Sequence, residues 1–212
     1  MSEFWEDAFQ EKNLMWGEEP TPLAIEAAEI FKQLGFRKIL IPGFGYGRNA
    51  RPFYEQEFEV TGIEISGTAI KLAQKLLGPE IRVFQGSVDD MPFDQDAYDG
   101  IFCHALIHLL DAGQRKKLIL DCYRQLRPGG MMFFTAITKD ASTYGVGEKL
   151  GTDRYRTKDG VNLYFYDKDS IKEEFGGFGL FEATKIDEAG NGKPATRFWK
   201  VVCKKTEAHV QN

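Results

Sequence analysis

Cysteine, positive charge and long apolar runs are all in short supply in this chain, and each shortage removes a class of protein. Three cysteines among 212 residues, Cys103, Cys122 and Cys203, are odd in number and widely spaced. That suits reduced thiols, matches no zinc-ligand spacing and provides no disulfide framework, so no metal is expected. No apolar run approaches the roughly 20 residues that a bilayer-spanning helix needs, so no membrane is expected. The opening residues, Met1-Ser2-Glu3-Phe4-Trp5-Glu6-Asp7, lack the basic-then-apolar pattern of a secretory leader, and a cytoplasmic location is the expectation. Lys and Arg total 27 against 32 Asp and Glu, a net charge of −5. Neutralising a phosphate backbone takes clustered cations, so nucleic acid is not an expected partner. The short basic runs Arg115-Lys116-Lys117 and Lys204-Lys205 read as solvated faces. What remains, 42% hydrophobic and 28% charged residues, is the composition of an ordinary globular domain with enough chain to bury its own core.

The most informative segment is Ile39-Leu40-Ile41-Pro42-Gly43-Phe44-Gly45-Tyr46-Gly47-Arg48-Asn49-Ala50, an apolar strand running into three alternating glycines and then a helix start. Glycine lets backbone bend with φ > 0 and lets it touch a ligand that a side chain would keep away. The spacing is GxGxG rather than the GxGxxG of dinucleotide sites, and a plain tight strand-to-helix connection is the alternative reading. A second buried strand, 58–65, delivers Glu64 about 20 residues after the glycines, where nucleotide-binding α/β folds place a ribose-binding acid. The competing reading is a solvated acid at a strand end.

Apolar periodicity divides the rest into alternating helices and strands. Thr21-Pro22 opens a helix burying Leu23, Ala27, Ile30, Phe31 and Leu34. A helix after the glycines is expected to begin near Asn49, a good cap. Another runs from Ser66 to Gly78-Pro79. Strands are expected at 38–41, 81–84, 98–103 and 131–137, the last following the turn Arg127-Pro128-Gly129-Gly130. A helix carrying Leu118, Ile119, Cys122, Tyr123 and Leu126 precedes that turn. After the loop 139–160 and a helix near 169–175, two β-rich runs, 180–187 and 196–204, read as a hairpin closed by Glu188-Ala189-Gly190-Asn191-Gly192-Lys193-Pro194. The alternation implies a parallel sheet with right-handed crossovers.

These segments, taken in order, resemble the class I S-adenosylmethionine-dependent methyltransferases. The glycine turn is similar to the family's first motif, Glu64 to its ribose-binding acid, and Gly86-Ser87-Val88-Asp89-Asp90-Met91-Pro92-Phe93 to its adenine-side segment. Tyr98-Asp99 with 104–110 resembles its fourth motif, and Leu126-Arg127-Pro128-Gly129-Gly130 the turn before its fifth strand. More narrowly, Phe4-Trp5, Trp16-Gly17-Glu18-Glu19-Pro20 and Gly47-Arg48-Asn49-Ala50 resemble small tellurite-resistance methyltransferases, and Pro42-Gly43 resembles the thiopurine and thiol methyltransferases.

The resemblance implies an α/β, Rossmann-like, doubly wound sheet of seven strands, mostly parallel with an antiparallel last strand, ordered 3-2-1-4-5-7-6. It implies one methyltransferase domain over 1–212: an N-terminal lid segment and first helix (1–35), a cofactor-binding core (36–137) and a substrate-side loop, helix and hairpin (138–205). It further implies S-adenosylmethionine as cofactor, held by Gly43, Phe44, Gly45, Gly47, Asn49, Glu64, Ile65, Ser87, Val88, Asp89, Cys103 and His104. The implied activity is methyl transfer by in-line displacement to a small-molecule acceptor: a thiol, a chalcogen oxyanion or another small metabolite. Ile41 stands where the family usually carries an acid, and Ser87 where an acid often follows the glycine, so Asp89 is expected to serve adenine.

No obligatory catalytic residue is needed, since alignment of donor and acceptor with water excluded carries much of such a displacement. His104 and His108 are the candidates should a base be used. A helix-start histidine packed by Leu106 and Leu109 is the plainer reading of His108, and a core position that of Cys103. Trp5, Trp16, Tyr144 and Arg154 are candidates for a substrate lid, and Phe44, Tyr46, Trp16 and Tyr144 offer faces to a sulfonium. Two other readings stay open: a protein that binds S-adenosylmethionine without transferring its methyl group, and a nicotinamide-dependent dehydrogenase, against which the glycine spacing and hairpin both speak.

Overall fold

Capping chemistry marks where most helices start in the computed structural model, which describes residues 2–190 and 193–207. Asn191 and Gly192 of the expected hairpin turn, and His209, lie outside the described residues. Thr21 accepts a hydrogen bond from the Ala24 amide and opens α2 (Pro22–Gln33), with proline in the first turn where its missing N–H costs nothing. Ser66 does the same for α4 (Gly67–Leu77). Asp111 and Asp167 build reciprocal capping boxes at α5 (Ala112–Gln125) and α6 (Lys168–Phe175).

The chain divides into two compact units, Met1–Phe102 and Cys103–Asn212. The first holds α1 (Ser2–Lys12), α2, β1 (Lys38–Pro42), α3 (Arg51–Glu55), β2 (Glu59–Glu64), α4, β3 (Arg82–Gln85) and most of β4 (Tyr98–Cys103). β1 runs parallel to β2, with Ile39 opposite Val60 and Ile41 opposite Gly62, and parallel to β4, with Leu40 opposite Ile101. Strands flanked on both sides in a parallel sheet read as unbroken apolar runs, and Ile39, Leu40 and Ile41 are all buried.

The second unit holds α5, β5 (Leu126–Ile137), β6 (Glu148–Gly151), β7 (Arg154–Arg156), β8 (Asn162–Tyr164), α6, β9 (Leu180–Gly190) and β10 (Lys193–Lys204). β10 pairs antiparallel with β5 and with β9, Val201 facing Phe134 on one side and Ala183 on the other. The seven long strands are ordered β3-β2-β1-β4-β5-β10-β9. Counted without β6 to β8, this is the expected 3-2-1-4-5-7-6 order with its reversed last strand.

Several local expectations are corrected. The N-terminal segment forms helix α1. The helix after the glycines starts at Arg51, one residue past Ala50, which gives no side-chain cap. Asn49 instead accepts a hydrogen bond from the Thr21 amide at 2.9 Å, fastening the turn to the start of α2. Leu34, expected in the α2 core stripe, is exposed, because α2 ends at Gln33 and Leu34 is its cap. The segment 139–160, read as a loop, contains strands β6 and β7, which join β8 just beyond it in a separate three-stranded antiparallel sheet. Residues 126–130, read as a turn, lengthen β5, Gly129 and Gly130 exchanging backbone hydrogen bonds with Lys205. Arg115, read as part of a solvated basic face, is buried in an ion pair with Glu174 at 2.9 Å and lies 3.8 Å over the Tyr164 ring.

Candidate functional site

Three left-handed glycines make the turn that follows β1: Gly43, Gly45 and Gly47 have φ of 71°, 58° and 83°. An L side chain resists that region, so the GxGxG spacing is demanded by the backbone path itself. The Gly43 and Phe44 amides donate to the Ile63 carbonyl at 2.9 and 3.0 Å, pinning the turn to β2. Close packing adds a second reason at Gly47, where a Cβ would stand 2.6 Å from Leu77 Cδ1 and 3.1 Å from Phe44 Cε1. At Gly45 a Cβ would meet nothing within 4 Å. The bend therefore presents bare backbone to open space at its middle glycine.

Glu64 ends β2 and is buried. Its Oε2 accepts from the Gly45 amide at 2.7 Å and its Oε1 from the Ser66 amide at 2.9 Å. Burial raises its pKa above the usual carboxylate range, and the hydrogen bonds from Ser66, Gly45 and Ile65 work against that rise. Its burial at the end of β2 sets aside the reading of a solvated acid at a strand end. One buried carboxylate is bound to the amide at the centre of the glycine bend.

Beyond β3, the Gly86 amide donates to the Glu64 carbonyl at 2.9 Å. A Cβ at Gly86 would stand 2.5 Å from the Phe93 ring, so a larger residue there would have to push that ring aside. The Ser87 side chain accepts from the Asp89 amide at 3.3 Å and opens a short 3-10 turn, Val88–Asp90, in which Val88 is buried. A cleft of about 500 Å³ lies here, lined by Glu3, Glu6, Asp7, Ile65 and Gln85. It combines the ends of β2 and β3 with the acidic side of α1.

Helix α1 is tied to the same place by a residue that sequence reasoning missed. Glu6 accepts from Ser66 Oγ at 2.7 Å and from the Thr68 amide at 3.2 Å at the start of α4. The hydrogen bonds from Thr68 and Ser66 lower its pKa to about 2. Trp5, Phe9 and Trp16 pack with Tyr46 of the glycine turn, the Trp16 ring stacked on Tyr46 at 6.1 Å. Tyr46 donates to the Gly17 carbonyl at 2.6 Å. Phe44 turns the other way, its ring against Gly62, where a Cβ would come within 2.3 Å.

In the second unit, Cys103 is fully buried and desolvation holds it firmly as a thiol, which suits a core position. His104 Nε2 lies 3.0 and 2.8 Å from the two carboxylate oxygens of Glu188. His108 is buried, its Nδ1 accepting from the Ile137 amide at 3.4 Å. Desolvation, with His104 adding repulsion, lowers its pKa to about 3, so it stays neutral. Tyr144 donates to Asp153 at 2.7 Å and packs on the cluster of Ile137, Ala141, Phe165 and Phe198. Arg154 donates to the Leu110 carbonyl at 2.9 Å. Glu188 escaped the sequence reading because its segment carries hairpin-turn residues, and no local spacing links it to a histidine 84 positions away.

A family model described as a methyltransferase domain matches residues 39–130, the stretch from β1 through the Gly129-Gly130 pair. The matched stretch carries the glycine turn, Glu64 and the segment after β3, and it spans less than half of the chain. Among particular proteins, the tRNA N(3)-methylcytidine methyltransferase Mettl2 of Drosophila melanogaster is 24% identical over 198 residues, covering 84% of this chain and 58% of its own. The chain spans about half the length of the curated relatives it matches. The structure of Burkholderia thailandensis 1,6-didemethyltoxoflavin-N1-methyltransferase, with bound 1,6-didemethyltoxoflavin and S-adenosylhomocysteine, is similar with a TM-score of 0.70 and 18% identity. That likeness covers 97% of this chain and 89% of the other. TehB from Haemophilus influenzae is similar with a TM-score of 0.68 and 16% identity, covering 95% and 67%. At these identities the structural likenesses establish the fold.

Proposed function

We propose that this protein transfers a methyl group from S-adenosylmethionine to a small-molecule acceptor by in-line displacement. The observation that carries the reading is the Glu64 carboxylate bound to the Gly45 amide beside open space. Those residues fit the cofactor. A buried acid at a strand end offers acceptors to two vicinal ribose hydroxyls, and bare glycine backbone admits close approach of the adenosyl group. Ile65 and the segment Ser87, Val88 and Asp89 bound the adenine side, Gly43, Phe44, Gly47 and Asn49 shape and anchor the turn, and Cys103 and His104 continue the set from β4. When bound, the cofactor supplies a methyl group on a sulfonium, an electrophile that needs no further activation.

The residues of the chain bind, orient and exclude water. In this reading Trp5, Trp16, Tyr144 and Arg154 are the substrate-lid candidates. The division into a lid (1–35), a cofactor core (36–137) and a substrate side (138–205) belongs to the same proposal, as does kinship with the small tellurite-resistance and thiopurine methyltransferases. The net charge of −5 favours a small acceptor over a nucleic acid. The fly relative named for tRNA makes bulk tRNA the control acceptor. Binding without transfer is the second reading, favoured by buried Ile41 where an acid would hold the methionine amino group.

Calorimetry with S-adenosylhomocysteine tests the cofactor site, and NAD serves as control. Wild type binds the first and not the second. Glu64→Gln, which keeps the shape and an acceptor for Gly45, binds it about tenfold more weakly or worse, a loss of about 1.4 kcal/mol. Unchanged affinity in the variant would remove Glu64 from the site. Transfer is then read from a labelled methyl group offered to thiols, oxyanions, hydroxyls and tRNA.

A further inference from the structure

Helix α1 is too short to be stable alone. It has 11 residues, and isolated helices below roughly 12 to 15 residues are marginal in water, so it forms because of what it docks against. Two contacts hold it. On its apolar side Phe9 is buried with Tyr46 of the glycine turn and Ala69 of α4, and Trp5, Leu72 and Leu76 pack around them. On its polar side the Glu6 carboxylate receives hydrogen bonds from the start of α4. Ser66 Oγ at 2.7 Å and the Thr68 amide at 3.2 Å donate to Oε2, and Thr68 Oγ1 at 2.5 Å donates to Oε1. Unpaired amides and the helix dipole favour an anion at that end, and the same donors keep Glu6 ionised at neutral pH.

Both contacts end on groups that the cofactor reading uses. Tyr46 lies between Gly45 and Gly47. Ser66 gives its amide to Glu64 Oε1 at 2.9 Å and its hydroxyl to Glu6, so one residue joins the buried acid to the helix. The cleft of about 500 Å³ lies at this junction. Ile65, directly after β2, and Gln85, the last residue of β3, line it from the sheet; Glu3, Glu6 and Asp7 line it from α1. Those three acids follow the spacing that puts residues on one helix face, so α1 presents a single continuous side to the cleft. The size suits a small organic ligand.

From this geometry, and resting on the cofactor reading above, we propose that α1 is a wall of the S-adenosylmethionine cleft, facing the adenosyl group, and that Glu6 is the positioning residue that seats it. The Glu6 oxygens are occupied by Ser66 and Thr68, so Glu6 acts on the ligand by holding the helix face in place. Removing it leaves the glycine turn and Glu64 as they are and takes away the wall opposite Ile65 and Gln85.

The test uses the full chain, with S-adenosylhomocysteine as the probe. In wild type the probe slows amide hydrogen exchange in the peptide covering α1, because a ligand lying against the helix opposes its undocking. Glu6→Ala speeds exchange there, leaves β1 and β2 as protected as in wild type, and weakens the probe by about tenfold in calorimetry. Thr68→Val removes one hydroxyl donor, keeps Glu6 and the Ser66 cap of α4, and weakens the probe by about threefold or more. Combining the two substitutions weakens it no further than Glu6→Ala alone, since both act through one contact. Exchange in α1 that ignores the probe overturns the wall, because a helix that only completes the fold feels no ligand. Wild-type affinity in both variants overturns the role of Glu6 and the proposal with it. Should Glu6→Ala also lose protection in β1 and β2, Thr68→Val decides: weaker binding supports the proposal and unchanged binding overturns it. A wild type that binds no S-adenosylhomocysteine overturns the cofactor reading itself, a failure distinct from the others because each of those begins with a bound probe.

Discussion

At the scale of single residues, the glycine turn separates two requirements that a sequence pattern merges. Gly45 and Gly47 share a left-handed backbone, yet only Gly47 is crowded by neighbours. Alanine at Gly47 therefore pushes Leu77 aside as well as straining φ, and is expected to destabilise the fold by about 2 kcal/mol in urea titrations. Alanine at Gly45 carries the strain alone, about 1 kcal/mol, but its methyl enters the open space facing the bend. Its main effect is to be weaker S-adenosylhomocysteine binding, by about tenfold in calorimetry. The opposite ranking would mean that the open side of the bend holds no ligand. Glycines and Glu64 were legible in the sequence because both answer to local rules of turn geometry and strand length. Glu6 and Glu188 were not, because their partners lie 60 and 84 positions away and no local spacing signals such a contact.

Elements were legible where periodicity and caps agreed. Ser66, Thr21 and Thr21-Pro22 announced two helices correctly, since a side-chain oxygen before an apolar stripe satisfies an otherwise unpaired amide. The small β6-β7-β8 sheet was missed because its strands span only four, three and three residues, too short for alternation to register. Helix α5 shows the complementary failure: a basic triplet looks solvated, yet the first of its three cations turns inward. Arg115 is bound to Glu174 and Leu110, stacked on Tyr164, and packed where α5 meets α6. Arg115→Ala leaves the Glu174 carboxylate buried without its cation and is expected to cost about 3 to 5 kcal/mol. Arg115→Met together with Glu174→Gln, which removes both charges and keeps much of the volume, should recover at least half of that in thermal or urea unfolding. A double variant as unstable as the single one would show that stacking on the tyrosines, rather than the ion pair, holds the two helices.

Over the whole chain, the strand order was legible because alternating strands and helices admit few right-handed topologies, and stability against pH follows from groups that the same packing buries. His108 has its pKa lowered to about 3, against 6.5 when exposed. The unfolded chain therefore takes up a proton below 6.5 that the folded chain refuses, and stability falls as pH drops from there toward 3. At about pH 5 this amounts to a loss of about 2 kcal/mol relative to pH 7. Glu6, lowered to about 2 from 4.5, also favours the fold at neutral pH, but its contribution fades only as pH falls through and below 4.5. Glu64 has the opposite sign, because its raised pKa makes the folded chain the better proton acceptor as pH falls. The informative quantity is accordingly a difference: urea stability of wild type minus that of His108→Gln, measured at pH values from about 7 down to about 5. Wild type should lose stability over that interval by about 2 kcal/mol more than the variant, which has no imidazole to protonate on unfolding. Parallel curves would mean that His108 accepts its proton inside the fold, and its assignment as a neutral, buried group would have to be abandoned.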